Sequence, residues 1–287
     1  MGEFPAGAAA ALKAAESLCG PVTLTAISDR RGSAVWKAGG SEGAVAVKLG
    51  TGEAAEVTAR EASVLERLPG YDVLVGRIDG GGVWYVTRWE EGPSTWQRFR
   101  SVRAGRADAR PEALASAVQV ARAVADLHGP GWIHGDLQPA HALHTADGVR
   151  LIGFAWSRRL GETPWTAFRG TMVHLTAPEL ATDITAGGQP VLTTFLSDVY
   201  ALAASLWTAA TGDWPLDYEA AGIDRKAAGP VVLLEAIGER TVPLTPTEAW
   251  PELQQVLKDV LLTDAKDRPP ATELADRLTA LHEAGRR

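Results

Sequence analysis

Residues His134-Gly135-Asp136-Leu137-Gln138-Pro139-Ala140-His141 constrain this chain more than any other run, because they hold one acidic side chain between two histidines beside a proline. An aspartate in such a loop reads in two ways: it caps nearby amides, or it is a carboxylate positioned to move a proton. Its place after His134 and before Pro139 favours the second. The run that follows, Leu151-Ile152-Gly153-Phe154-Ala155, sets a glycine where a phosphate-handling site needs an aspartate. Whether the chain does chemistry turns on that position.

The surrounding pattern is mixed α+β. Residues 6–19 are alanine-rich, with Leu12, Ala15 and Leu18 on one face and a Cys19-Gly20-Pro21 stop, which predicts a helix. Residues 22–28, 33–38 and 43–49 alternate or cluster apolar side chains between glycine breaks, and residues 71–78 and 82–89 do the same, predicting five antiparallel strands. Residues 52–68 carry helical spacing at Val57, Ala62, Val64, Leu65 and Leu68. From Pro111 onward the pattern is helical: Leu114, Val118, Ala121, Val124 and Leu127 form one stripe, and 196–210, 249–262 and 271–284 repeat the habit. No internal repeat is found.

Further motifs follow in order. They are Val45-Ala46-Val47-Lys48, Arg60-Glu61, Ala177-Pro178-Glu179, Ser197-Asp198-Val199-Tyr200-Ala201-Leu202, Thr211-Gly212-Asp213-Trp214-Pro215 and Asp267-Arg268-Pro269-Pro270. With the two loops above, the chain resembles the eukaryotic-like Ser/Thr protein kinases from about residue 22 to residue 284, as a degenerate member similar to bacterial pseudokinases and kinase-like phosphotransferases. The resemblance implies an α+β, two-lobed fold. Residues 1–21 would be a helical extension, 22–88 a small five-stranded antiparallel lobe with one main helix, 89–93 a hinge, and 94–287 a large helical lobe with its catalytic loop at 132–141 and activation segment at 153–179.

The resemblance also implies roles. Lys48 would hold nucleotide phosphates, steadied by Glu61; a lysine ending a strand is by default a solvated edge residue, and its partner thirteen residues on is what raises the functional reading. Asp136 would accept or orient the proton of an attacking hydroxyl. His134 would be scaffolding supported by Asp198. Thr87 would guard an adenine pocket, with Trp89 in the hinge run Arg88-Trp89-Glu90-Glu91-Gly92.

The departures matter more. Kinases hold magnesium between the triphosphate and two side chains, at positions that here read Gly153 and His141. Magnesium prefers oxygen ligands, whereas glycine offers no side chain and imidazole suits softer ions, so magnesium or manganese is doubtful although ATP is possible. The glycine-rich nucleotide loop is replaced by Ser28, Arg30 and Ser33 with a displaced Gly32; Arg30 and Arg31 would have to substitute side-chain charge for close backbone contact. Gln138 stands where Ser/Thr kinases use a lysine. Gly135 replaces the arginine that grips an activation-loop phosphate, which argues against that switch despite Ser157, Thr163, Thr166 and Thr171.

Arg98, Arg100, Arg103, Arg106 and Arg110 fall within thirteen residues. A solvated loop is the ordinary account, and a docking patch for an acidic peptide or partner protein is the sharper one. Of ten tryptophans, Trp84, Trp89, Trp132, Trp156 and Trp207 read as packing, and Trp165 as an exposed anchor. A net charge of −7 argues against nucleic-acid binding, a lone Cys19 excludes a disulfide framework, and no segment reads as membrane-spanning, so a cytoplasmic place is expected. Three functions follow in order of preference: a pseudokinase that binds or regulates a protein or peptide, an unconventional ATP-dependent phosphotransferase acting on peptide or protein Ser/Thr with His141 in metal work, and a small-molecule phosphotransferase.

Overall fold

The computed structural model describes residues 4–285 apart from Arg31, Arg169, Thr247 and Glu248, and leaves the side chains of Ala6 and Arg30 undescribed. Two compact units divide the chain: the first runs through Glu90 and takes in Gly153–Ala155, and the second holds Glu91–Ile152 and the residues from Trp156 onward.

In the first unit β1 (Thr23–Arg30), β2 (Ser33–Gly40), β3 (Gly43–Gly50), β4 (Val73–Ile78) and β5 (Gly82–Arg88) make one antiparallel sheet in the order β1-β2-β3-β5-β4. Its two faces are covered by α1 (Ala9–Cys19) and α2 (Ala54–Leu65). The alternation of β3 decides which face is which. Val45, Val47 and Leu49 join Trp36, Ala38, Trp84 and Val86 in a buried layer against α1. Lys48 falls on the opposite face by the two-residue period of a strand.

The predicted face of α1 is corrected here. Ala8, Ala11, Ala15 and Cys19 are buried, while Leu18 is 46% exposed. Small side chains let the helix lie close on the sheet, where leucines would hold it away. Gly40 shows how tight the fit is, since a Cβ there would stand 2.1 Å from the Cys19 carbonyl oxygen. Gly50 does the same for α2: a Cβ would meet Thr58 Oγ1 at 2.2 Å, so a glycine lets the helix begin directly over the end of β3.

The second unit holds α3 (Thr95–Arg98), α4 (Arg100–Arg103), α5 (Arg110–His128), β6 (Trp132–Ile133), β7 (Ala142–Thr145), β8 (Gly148–Leu151), β9 (Arg158–Arg159), α6 (Pro178–Thr185), α7 (Phe195–Thr211), α8 (Pro230–Gly238), α9 (Pro251–Leu262) and α10 (Ala271–Ala284). Helix α7 is buried from Ser197 to Ala210 apart from Ala201, as an apolar run with no polar face must be. Thr194 and Ser197 close its start with a reciprocal capping box, and Gly212 in the left-handed region ends it. Around it α5 packs on α10, α6 on α8 and α9 on α7, while two short ribbons, β6 with β9 and β7 with β8, carry the loops of interest. Among the described residues no helix is long and apolar enough to cross a membrane.

Candidate functional site

In the first unit Lys48 Nζ and the Glu61 carboxylate form an ion pair, with the Lys48 side chain 20% exposed and that of Glu61 3%. The sheet adds a third member that sequence reading missed. Tyr85 lies directly across from Lys48 in the β3–β5 register, on the same face, and its hydroxyl is hydrogen-bonded to Glu61. Burial first, and then the Glu61 charge, push the Tyr85 phenol well above its ordinary value, so it stays a donor to the carboxylate. The sequence signal was the register opposite Lys48, which alternation alone does not supply.

The remaining residues assigned to a nucleotide in this unit are engaged locally. Thr87 donates its hydroxyl to the Asp72 carbonyl at 2.9 Å. Trp89 is half-buried under the Lys37 ammonium, 4.9 Å from its ring centre. Gly32 closes the two-residue β1–β2 turn with φ of +79°, and a Cβ there would stand 2.7 Å from the Thr51 carbonyl oxygen. Both the left-handed backbone and the close Thr51 carbonyl require a glycine there. Arg30 pairs with Ser33 through its backbone, and its side chain, like all of Arg31, lies outside the described residues. Gly153 has φ of +83°, Phe154 sits edge-on to Tyr71 at 5.2 Å, and Arg60 Nε donates to the Ala155 carbonyl at 3.1 Å.

In the second unit the loop after β6 hangs on Asp198, a carboxylate 1% exposed at the start of α7. It accepts the His134 amide at 2.6 Å, the Gly135 amide at 2.9 Å and His128 Nε2 at 3.1 Å. Three donors are what a buried carboxylate needs. His134, fully buried, donates Nε2–H to the Ile152 carbonyl and receives the Asp136 amide at Nδ1, which makes it a neutral strut as expected. Gly135 has φ of +76°, and a Cβ there would approach the Trp156 carbonyl oxygen to 2.8 Å.

The loop therefore presents Asp136, whose side chain is 13% exposed. Gln138 donates its amide to Asp136 Oδ1 at 2.7 Å. His141 Nδ1 lies 2.7 Å from the Asp136 backbone carbonyl and 3.7 Å from Oδ2, so Nδ1 carries a proton that it donates to that carbonyl, and Nε2 is the ring nitrogen not used in this contact. Taken separately, neither position suits magnesium: the side-chain atom on offer at 141 is a nitrogen, and Gly153 has no ligand atom in its side chain. Among the described residues no three His, Cys, Asp or Glu side chains converge as a metal cage would need.

Behind the loop, Arg268, 3% exposed, holds Glu179 through two bonds of 2.7 and 3.1 Å and the Leu196 carbonyl at 2.7 Å. Arg158, 4% exposed, donates to the Thr193 carbonyl and to Thr193 Oγ1, fastening the segment after β8 in place; sequence reading had not marked it. Trp165 is corrected from an exposed anchor to a half-buried ring stacked on Trp156 at 5.1 Å. The arginine run is also largely engaged. Arg98 pairs with Glu112 and Arg106 with Asp108, Arg103 bonds the Ala209 and Trp96 carbonyls, Arg110 bonds the Ala249 carbonyl, and Arg100 is exposed.

Two known proteins are similar to this chain, both named serine/threonine-protein kinase AfsK. The one from Streptomyces griseus is 33% identical over 102 residues, 34% of this chain and 12% of that protein. The one from Streptomyces coelicolor is 30% identical over 166 residues, 56% of this chain and 18% of that protein. This chain thus spans a small part of the length of either relative. The description of the protein kinase domain matches residues 97–278, more than half of the 287. On that match and the ordered motifs beneath it, the chain belongs to the protein kinase domain family.

Proposed function

We propose that the chain is a pseudokinase, a kinase-fold module that binds or regulates a protein or peptide partner rather than carrying out efficient magnesium-dependent phosphoryl transfer. One observation carries the reading: Gly153 stands, without a side chain and at φ of +83°, where the family places a metal carboxylate. Metal neutralisation of the transferring phosphoryl group is worth several kcal/mol of barrier, hence several powers of ten in rate. On this reading Lys48, Glu61, Asp136 and Asp198 persist as framework, and ATP, if it binds, is a structural ligand.

A second reading has its own support. The Asp136 carboxylate keeps its orientation through Gln138, and His141 has Nδ1 tied to the Asp136 carbonyl, which leaves Nε2 as the nitrogen able to serve as a ligand for a softer divalent ion. With the Ser/Thr specificity named for its relatives, that describes an unconventional phosphotransferase acting on peptide or protein hydroxyls. Transfer to a small molecule has less support, because the Glu179–Arg268 bond belongs to the protein-kinase pattern.

The test is transfer of labelled γ-phosphate by the wild-type chain in millimolar Mg²⁺ and, separately, Mn²⁺, beside melting scans with ATP. Saturation at 100 times the dissociation constant adds about 2.7 kcal/mol, so binding is read independently of turnover. Expected is no transfer in Mg²⁺. Robust transfer in Mg²⁺ that Asp136→Asn abolishes overturns the proposal, and transfer only in Mn²⁺ that His141→Ala abolishes selects the second reading.

A further inference from the structure

Three arginines of the run, Arg103, Arg106 and Arg110, line a partly open cavity of about 140 Å³ in the second unit with Val102, Thr211 and Ala249. What distinguishes it is how its charges are held. Arg103 gives Nη1 to the Ala209 carbonyl and Nη2 to the Trp96 carbonyl, each at 2.6 Å, and lies 3.6 Å above the Trp96 ring. Arg110 gives Nη2 to the Ala249 carbonyl at 2.7 Å and lies 5.6 Å from the buried Trp250 ring. Carbonyls and rings fix a guanidinium in place and cancel none of its charge. Neither arginine is paired with a carboxylate among the described residues.

Each guanidinium carries five N–H donors, so these contacts leave at least three on Arg103 and four on Arg110. Burial, and after it the neighbouring Arg100 charge, pulls the Arg103 guanidinium below its ordinary value. The third wall, Arg106, is exposed and paired with Asp108, also exposed, and such a surface pair is weak enough to open. In a chain of net charge −7 this is a local reversal of sign.

We propose that this cavity is a docking site for a phosphoryl group carried on a serine or threonine of a partner protein. The volume fits one tetrahedral oxyanion with water and is well short of the roughly 300 Å³ that a free nucleotide-sized ligand needs. Rigid guanidinium forks favour a dianion bearing three acceptor oxygens over the single charge of an aspartate or glutamate. The pseudokinase proposal supplies only the expectation that the ligand comes on a protein, and the cavity's preference for phosphate does not depend on it.

The experiment is fluorescence anisotropy of the full chain with a labelled phosphoserine peptide, its unphosphorylated counterpart, and inorganic phosphate as competitor. Expected are binding of the phosphopeptide at least tenfold tighter than the serine peptide, a tenfold or greater loss in Arg106→Gln, and tightening in Asp108→Asn, which removes the resident competitor. These two variants alter exposed side chains, so the test does not depend on the folding of a variant at the half-buried Arg103. Equal affinity for the two peptides, binding of inorganic phosphate without the phosphopeptide, or an affinity unmoved by both Arg106→Gln and Asp108→Asn overturns the proposal. Phosphopeptide binding by a chain that also transfers γ-phosphate in Mg²⁺ would instead remove the pseudokinase reading and leave this one standing.

Discussion

Taking the ammonium from Lys48 would leave Glu61 as a carboxylate 2% exposed without its cation, and the cost of that is set by desolvation rather than by the lost attraction. Breaking a fully buried pair costs about 3–5 kcal/mol; the partial exposure of Lys48 lowers this, so Lys48→Met is expected to destabilise the chain by about 2–3 kcal/mol in urea unfolding. Adding Glu61→Gln should recover part of the loss, since a neutral amide tolerates burial better than a carboxylate that has lost its cation. A double variant no more stable than Lys48→Met would mean the pair is not the source. The Lys48–Glu61 pairing was legible because each residue sits in a run whose neighbours restrict its place. Tyr85 was not, because nothing in its own strand says which residue lies opposite. Gly32 and Gly135 were legible as departures from a pattern, whereas the contacts that require glycine, the Thr51 and Trp156 carbonyl oxygens, come from distant stretches of chain.

Helices and strands show the same limit one level up. All five strands of the sheet and the helices α1, α2, α5, α7, α9 and α10 correspond to segments whose period announced them. What period cannot give is which of two weakly apolar faces a partner will accept. Helix α1 presents leucines on one side and alanines on another, and the sheet takes the alanines. Ala15, fully buried, has no room for a larger side chain, so Ala15→Leu is expected to cost about 1–3 kcal/mol through overpacking. Leu18→Ala, at a site 46% exposed, should change stability by less than about 0.5 kcal/mol. Thermal unfolding of both variants checks the face assignment, and the reverse ranking would restore the leucine face. The arginine run lost its simple reading for a related reason: charge density is visible in a sequence, but the carbonyls and rings that immobilise each guanidinium are not.

Acidification acts on the whole chain, and here two opposing effects can be separated by sign. His144, 8% exposed, faces Thr95 Oγ1 at 3.0 Å and the Gln119 amide; burial, reinforced by the Arg98 charge, pulls its pKa from 6.5 down to about 4. His174 lies against Tyr218 and Trp214, and burial with the Arg225 charge takes it likewise to about 4. In the unfolded chain both histidines gain protons as pH falls below 6.5, whereas the folded chain resists until about 4. Their contribution is therefore complete above pH 6.5, drains away between 6.5 and 4, and is absent below, with a slope of roughly 1.4 kcal/mol per pH unit for each. Relief of self-repulsion works in the other direction, because the net charge of −7 shrinks toward zero over the same range and should stabilise the compact state. Urea unfolding at pH 7 and at pH 5.5 distinguishes the two by direction alone: stability is expected to fall. His144→Gln should remove about half of the fall by deleting one of the two titrations, and a slope unchanged in that variant would show that the acid sensitivity arises elsewhere.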